Sequence, residues 1–191
     1  AINGELSQKV REVEALQAAL KDQAVRDFLT GLYNRRHLND VLPPMLALAR
    51  RHDEPLALAV IDLDHFKEVN DRYGHAAGDR VLASFGKLLR ARLRRSDIAC
   101  RYGGEEFCVL MPRTSAGVAR AKLDHLLKLW RATRFDFGSG VLAGASFSVG
   151  IADSLTTPGN AETLLSAADD CTLLAKRQGR GRVMVHLPLP A

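Results

Sequence analysis

Arg101-Tyr-Gly-Gly-Glu-Glu-Phe107 reads as a β-hairpin, with Phe107-Cys108-Val109-Leu110 continuing as an apolar strand beyond the turn. So tight a turn is expected to need φ > 0, which Gly103 and Gly104 can adopt without steric cost. A turn free of side chains lets a large substrate approach the backbone. Glu105 and Glu106 stand beside it, an arrangement suited to polyphosphate chemistry with a divalent metal.

A direct hairpin demands antiparallel pairing, and its surroundings alternate between helix and strand. Leu56 to Leu63 is almost continuously apolar, the pattern of a strand buried on both faces. Helices are expected over 36–51, 78–94, 115–133 and 161–177. Further strands are expected over 98–102, 106–111, 145–152 and 182–186. The fold class is therefore α/β (α+β), a mostly antiparallel central sheet flanked by helices. Residues 1–26 differ: Leu6, Val13 and Leu20 recur every seven residues, with Val10, Gln17 and Ala24 interleaved. This is the seam of a short coiled coil, with Lys9 and Glu14 placed to pair across a parallel dimer. A helix docked on its own domain is the competing reading. The expected division is a signalling helix over 1–26 and a catalytic domain over 27–191.

Composition narrows the partners. A formal charge of +5 over 191 residues favours anions. No basic run interleaved with aromatic residues suggests a nucleic-acid platform, so nucleic acid is not expected. Cys100, Cys108 and Cys171 lack metal-ligand spacing and read as buried apolar residues of a reducing compartment, the cytoplasm. No apolar run reaches the roughly 18 residues of a membrane span. The chain is expected to be cytoplasmic, or the cytoplasmic part of a membrane-bound or multidomain sensor with an upstream domain.

Two carboxylates, Asp62 and Asp64, close the buried strand, and carboxylates there need exposure, pairing or a metal. With the hairpin alongside, Asp62 and Glu105 can converge on Mg²⁺; capping of the next helix by Asp62 and Asp64 is the alternative. Asn70 and Asp79 follow. A carboxylate accepts both donors on the edge of guanine and an amide completes the recognition, whereas adenine offers no such pair. Taken alone, the two residues read more readily as a loop residue and a helix N-cap, since Asp79 is expected to open a long helix.

Together these segments resemble the GGDEF-domain diguanylate cyclases. The resemblance covers residues 27–186: Asp27-Phe-Leu-Thr-Gly-Leu-Tyr-Asn-Arg-Arg36, Ile61-Asp-Leu-Asp-His-Phe-Lys67, Asn70-Asp71, Gly74-His75, Gly78-Asp79, the Gly103–Phe107 signature, Ser148-Val-Gly-Ile151 and Ala175-Lys-Arg-Gln-Gly-Arg180. It implies a nucleotidyl-cyclase, palm-like fold and condensation of two GTP molecules into cyclic di-GMP with release of two pyrophosphates. Mg²⁺, with Mn²⁺ as an alternative, would be held by Asp62, the Leu63 carbonyl and Glu105. Glu105 or Glu106 would activate the ribose 3′-hydroxyl. Backbone amides near His65 and Phe66 would hold phosphates, joined by Lys176, Arg180 and Lys67. A homodimer would bring two half-sites face to face. Arg94-Arg-Ser-Asp97 matches the family's RxxD product-inhibition site, whose further arginine aligns with His125. Leu174 stands where many members carry an aromatic residue, and Gly181 where many carry Asn. Two readings compete with the cyclase: a catalytically silent cyclic di-GMP receptor, and a cyclase acting on one triphosphate.

Overall fold

The computed structural model describes residues 8–14 and 24–187. Its elements are β1 (Tyr33–Asn34), α1 (Arg35–Arg51), β2 (Leu56–Leu63), α2 (Phe66–Tyr73), α3 (His75–Arg92), β3 (Ile98–Arg101), β4 (Glu106–Pro112), α4 (Ala116–Ala132), β5 (Arg134–Asp136), β6 (Val141–Ala143), β7 (Phe147–Asp153), α5 (Ala161–Arg177) and β8 (Val183–Val185). Six strands form one sheet in the order β1-β3-β4-β2-β7-β8, and β5 and β6 form a separate ribbon. The three central pairings, β3–β4, β4–β2 and β2–β7, are antiparallel; the two edge pairings are parallel. The expected mostly antiparallel sheet is therefore present.

Alternation along β2 divides the core in two. Ala57, Ala59 and Ile61 face a layer built from α3 and α4, where Phe85 meets Phe107, Trp130 and Phe147 edge-on with ring centroids 4.8, 5.0 and 5.2 Å apart. Leu56, Leu58 and Val60 face Leu38, Leu42 and Leu46 of α1 and Leu164 and Ala168 of α5. Every residue of β2 is buried, as its apolar run predicts for a central strand. The backbone of α5 lies directly on β7: a Cβ at Gly150 would stand 1.9 Å from the Ala168 carbonyl oxygen. Pro43 and Pro44 lie inside α1 on its exposed side. There the carbonyls of Asn39 and Asp40, deprived of N–H partners, can turn to water.

Three expectations change. The helix assigned to 78–94 spans His75–Arg92, with α2 folded against it across Gly74 at φ 84°. Asp79 is therefore not an N-cap and Asn70 is not a loop residue; both are helical. The ribbon β5–β6 goes unassigned because three residues per strand carry too little alternation to register. Neither Gly103 nor Gly104 has positive φ. The turn is instead closed by the Glu106 carbonyl, which accepts from the N–H groups of Tyr102 (2.8 Å) and Gly103 (3.2 Å). Gly103 leaves room for the Glu106 side chain: a Cβ there would meet Oε2 at 2.5 Å, and the flexible carboxylate would have to move aside.

Residues 8–14 are helical, with Val10 and Val13 about half exposed. Leu6, Gln17 and Leu20 of the heptad seam lie outside the described residues. Cys100, Cys108 and Cys171 are free and buried, as expected. No described helix is long and apolar enough to cross a membrane.

Candidate active site

The site forms where β2 ends beside the hairpin turn. Asp62 pairs directly across the sheet with Glu106, and the Leu63 N–H donates to the Glu105 carbonyl at 3.2 Å. Antiparallel register thus brings the strand-end carboxylate and both signature glutamates together, although more than forty residues separate them in the chain. A single open cleft is lined by Asp62, Leu63, Asp64, His65, Phe66, Lys67, Glu68, Glu105, Lys176 and Arg180. It unites every residue expected at the metal and phosphate sites; Glu106, expected only as an alternative to Glu105 for activating the hydroxyl, does not line it.

Glu106 points behind the turn, into a recess between β4 and α5 that also holds Tyr102, Glu162 and Asp169. Burial raises its pKa above the ordinary glutamate range, and the negative charges of Asp62, Asp169 and Glu105 push it further, against the pull of Lys176. Asp62 is 7 % exposed. Its pKa is raised by burial, with repulsion from Asp64 adding to the shift. The Lys176 ammonium, bonded to Asp62 Oδ2 at 2.6 Å, opposes it.

Asp64 has a different task from the one expected. It does not cap α2, whose N-cap is His65 in the left-handed conformation (φ 57°, ψ 24°) with no side-chain cap bond. Asp64 accepts instead from Ser148 Oγ at 2.7 Å, Ser146 Oγ at 2.6 Å and the Gly181 N–H at 2.9 Å. It therefore ties β7 and the Arg180–Gly181 loop to the end of β2, holding Arg180 over the cleft. Arg180 and Gly181 both have positive φ, 59° and 56°. Asn tolerates this conformation nearly as Gly does, which accounts physically for Gly181 standing where many relatives carry Asn. His65 is fixed by Glu68, its Nδ1 lying 2.6 Å from Oε1.

An all-oxygen donor set of Asp62, Glu105 and the Leu63 carbonyl suits a hard divalent cation. Among the described residues no three His, Cys, Asp or Glu side chains converge as a metal site. The chain's share would therefore be two carboxylates and one main-chain carbonyl. Lys176 already supplies one positive charge beside this buried carboxylate.

Asn70 and Asp79 stand on the facing helices α2 and α3. Asn70 packs against Gly78, the residue before Asp79, where a Cβ would lie 1.9 Å from Asn70 Oδ1. Away from the residues that line the cleft, Arg94 and Asp97 line a second recess with Arg26, Tyr33, Arg90 and Arg95. The Asp97 side chain is 1 % exposed and its Oδ2 accepts from Lys122 Nζ at 2.6 Å and the Arg94 N–H at 3.0 Å; Oδ1 is buried without a partner. The cations missing from the sequence reading are thus Arg90 on α3 and Lys122 on α4, while His125 is exposed. Lys122 lies three residues, about one helical turn, from His125, so helical spacing was the available signal.

A mostly antiparallel sheet carrying carboxylates at its strand ends, with lysine and arginine closing the cleft, defines a domain of the nucleotidyl-cyclase, palm-like class. Residues 24–182 match the family model described as "Diguanylate cyclase, GGDEF domain". The chain belongs to the GGDEF family. It is 40% identical over 181 residues to diguanylate cyclase DgcP of Pseudomonas aeruginosa, covering 92% of this chain and 26% of that protein. It is 35% identical over 162 residues to response regulator PleD of Caulobacter vibrioides, covering 84% and 36%. The chain therefore spans well under half the length of these relatives. The coiled coil and GGDEF domain of DgcB from Caulobacter crescentus, solved in complex with c-di-GMP, superposes with a TM-score of 0.83 at 29% identity, covering 96% of this chain and 98% of that one.

Proposed function

We propose that this chain condenses two GTP molecules into cyclic di-GMP, with Mg²⁺ or Mn²⁺, as a homodimer of half-sites. The observation that carries the reading is the single cleft shared by Asp62, Glu105, Lys176 and Arg180 at the start of α2. When bound, the cation would neutralise charge on the triphosphate and lower the pKa of the attacking hydroxyl. Asp62, Glu105 and the Leu63 carbonyl would hold it. Lys176, Arg180 and Lys67 would meet the phosphates, and the N–H groups at the start of α2, near His65 and Phe66, would donate to phosphate oxygens as helix N-termini do. Asn70 and Asp79 would read the guanine edge.

Each half-site binds one GTP, so the 3′-oxygen of one nucleotide attacks the α-phosphorus of the other. The 3′-hydroxyl proton passes to Glu105 or Glu106, the α–β phosphoanhydride bond breaks, and pyrophosphate leaves. The same exchange in the opposite sense closes the ring. DgcB's joined coiled coil and domain support a dimerising role for residues 1–26, which would raise the effective concentration of the two half-sites. Arg94 and Asp97, in their arginine-lined recess, would bind the product and restrain turnover. The arginine would read the O6/N7 edge of guanine and the carboxylate its N–H donors.

That recess also suits a silent receptor of cyclic di-GMP, but retention of both Glu105 and Glu106 favours turnover. Incubation with GTP and Mg²⁺ followed by separation of nucleotides distinguishes the readings. Linear accumulation of a cyclic dinucleotide is expected. Stoichiometric dinucleotide binding with no product would establish the receptor, and a cyclic mononucleotide the single-substrate cyclase.

A further inference from the structure

The turn bearing Glu105 is gripped by one side chain. Arg101, the last residue of β3, donates to the Gly104 carbonyl twice, from Nε at 3.1 Å and Nη2 at 2.9 Å. Its remaining arm, Nη1, reaches Asp27 at 3.2 Å from Oδ2 and 3.4 Å from Oδ1. Both side chains of this pair are only 15% exposed. Asp27 is held in turn by Thr30, whose N–H and Oγ1 donate to Oδ1 at 2.9 and 2.6 Å. The Asp27–Leu32 turn closes on itself through main-chain bonds from Asp27 N–H to the Leu32 carbonyl and from Gly31 N–H to the Asp27 carbonyl. That turn is seated on α3, where a Cβ at Gly86 would come within 2.8 Å of Thr30.

We propose that Asp27 and Arg101 form a brace that positions Gly104 and Glu105. On this account the opening turn of the domain is part of the catalytic apparatus despite lying 78 residues before the glutamate in the chain. The argument is geometric. Gly104 has no side chain with which to anchor itself, and a Cβ there would meet nothing within 4 Å. Its carbonyl, immediately before Glu105, is held by two parallel N–H groups of a planar fork. A guanidinium presents that fork rigidly only when its third edge is fixed, and Asp27 supplies the fixing charge. Lysine could keep the charge opposite Asp27 but could not grip Gly104 twice. Since Leu63 N–H holds the Glu105 carbonyl from the other side, losing the fork would free the chain on one flank only. Glu105 would then swing relative to Asp62. Asp27 and Arg101 are positioning residues: neither needs to touch nucleotide.

The proposal rests on the cyclase reading for its kinetic consequence but not for its structural one, and the test separates them. Asp27→Asn, Arg101→Lys and the double variant are compared with the parent chain. The readouts are kcat, KM for GTP, thermal midpoint and amide hydrogen exchange. The expected result is a loss in kcat of roughly tenfold or more with KM changed by less than about threefold, the signature of a misplaced catalytic group. Exchange at residues 103–106 should quicken at least about tenfold while that of β2 stays as it was. The double variant should be no worse than the poorer single one, because both substitutions break one unit. Unchanged exchange in the turn, or losses that add independently, would overturn the brace. Faster exchange in variants of a chain that makes no dinucleotide would sink the cyclase reading and leave the brace intact. Should Arg101→Lys fail to fold, Asp27→Asn alone decides the matter by the same exchange measurement.

Discussion

At position 153 a buried aspartate collects four donors: the N–H groups of Ala116, Leu155 and Thr156 and the hydroxyl of Thr156. Burial by itself would raise its pKa, but these bonds outweigh that effect and hold it below the ordinary aspartate range. Asp153→Ala would strand the donors at the start of α4, at a cost of about 3 kcal/mol that denaturant unfolding should register. A depressed native pKa also fixes the direction of the pH effect. The contribution is complete above the unfolded value, about 3.9, and is lost as pH falls through the lower native one. Compared with the parent, Asp153→Ala should therefore lose the acid-side decline that this residue contributes. On the proposed reading Glu105 is the opposite case, a carboxylate that serves ligand rather than fold. Glu105→Gln is expected to lower turnover on the order of a thousandfold or more with the thermal midpoint little changed. Normal activity in that variant would remove it from the metal site.

The docking of α5 on β7 depends on Gly150, where the helix backbone comes too near for any side chain. Gly150→Ala should force α5 away from the sheet. Because the obstructing atoms are main-chain atoms that cannot rotate aside, the cost should reach about 3 kcal/mol, measurable as a lower unfolding midpoint. Lys176 and Arg180 ride on the end of α5 and the loop after it, so turnover should fall along with stability. Elements of this kind were readable in the sequence to different depths. The apolar run of β2 and the Gly-Gly turn placed Asp62 beside Glu105 correctly, because burial on both faces leaves a strand few other positions. The joint at Gly74 was missed: no helix was assigned over 66–73, and the break between α2 and α3 rests on one glycine backbone angle. Asp64 resembled a cap because its true partners, Ser146, Ser148 and Gly181, lie more than eighty residues away and carry no pattern that points back to it. Lys122 was passed over although it lies one helical turn from His125, because its pairing with Asp97 arises only when α4 packs beside that residue.

If Asn70 and Asp79 read one guanine and the cleft holds one triphosphate, as proposed, the domain can complete a cyclic dinucleotide only by meeting its like. Specific activity should therefore rise with chain concentration and level off once the half-sites are paired. A flat dilution series would contradict assembly from two halves. The recess at Arg94 shares no lining residue with the cleft, so its occupant would act on the arrangement of whole domains rather than on the reacting groups. Arg94→Ala should relieve product inhibition by about tenfold or more in the inhibition constant, given the strength of a bidentate arginine–guanine contact. Unchanged inhibition curves would count against that role. Asp97→Ala would be a poorer probe, since it strands Lys122 and disturbs the fold as well.

All three native thiols are enclosed, which offers an experimental convenience. One cysteine introduced on the outer face of α1, as in Leu48→Cys, would stand alone at the surface, because Leu48 is 55% exposed. A spin label or fluorophore attached there would mark each protomer once without removal of any natural sulfur. The spacing between two such labels would then serve as a ruler for how the paired domains approach and separate as nucleotide is consumed.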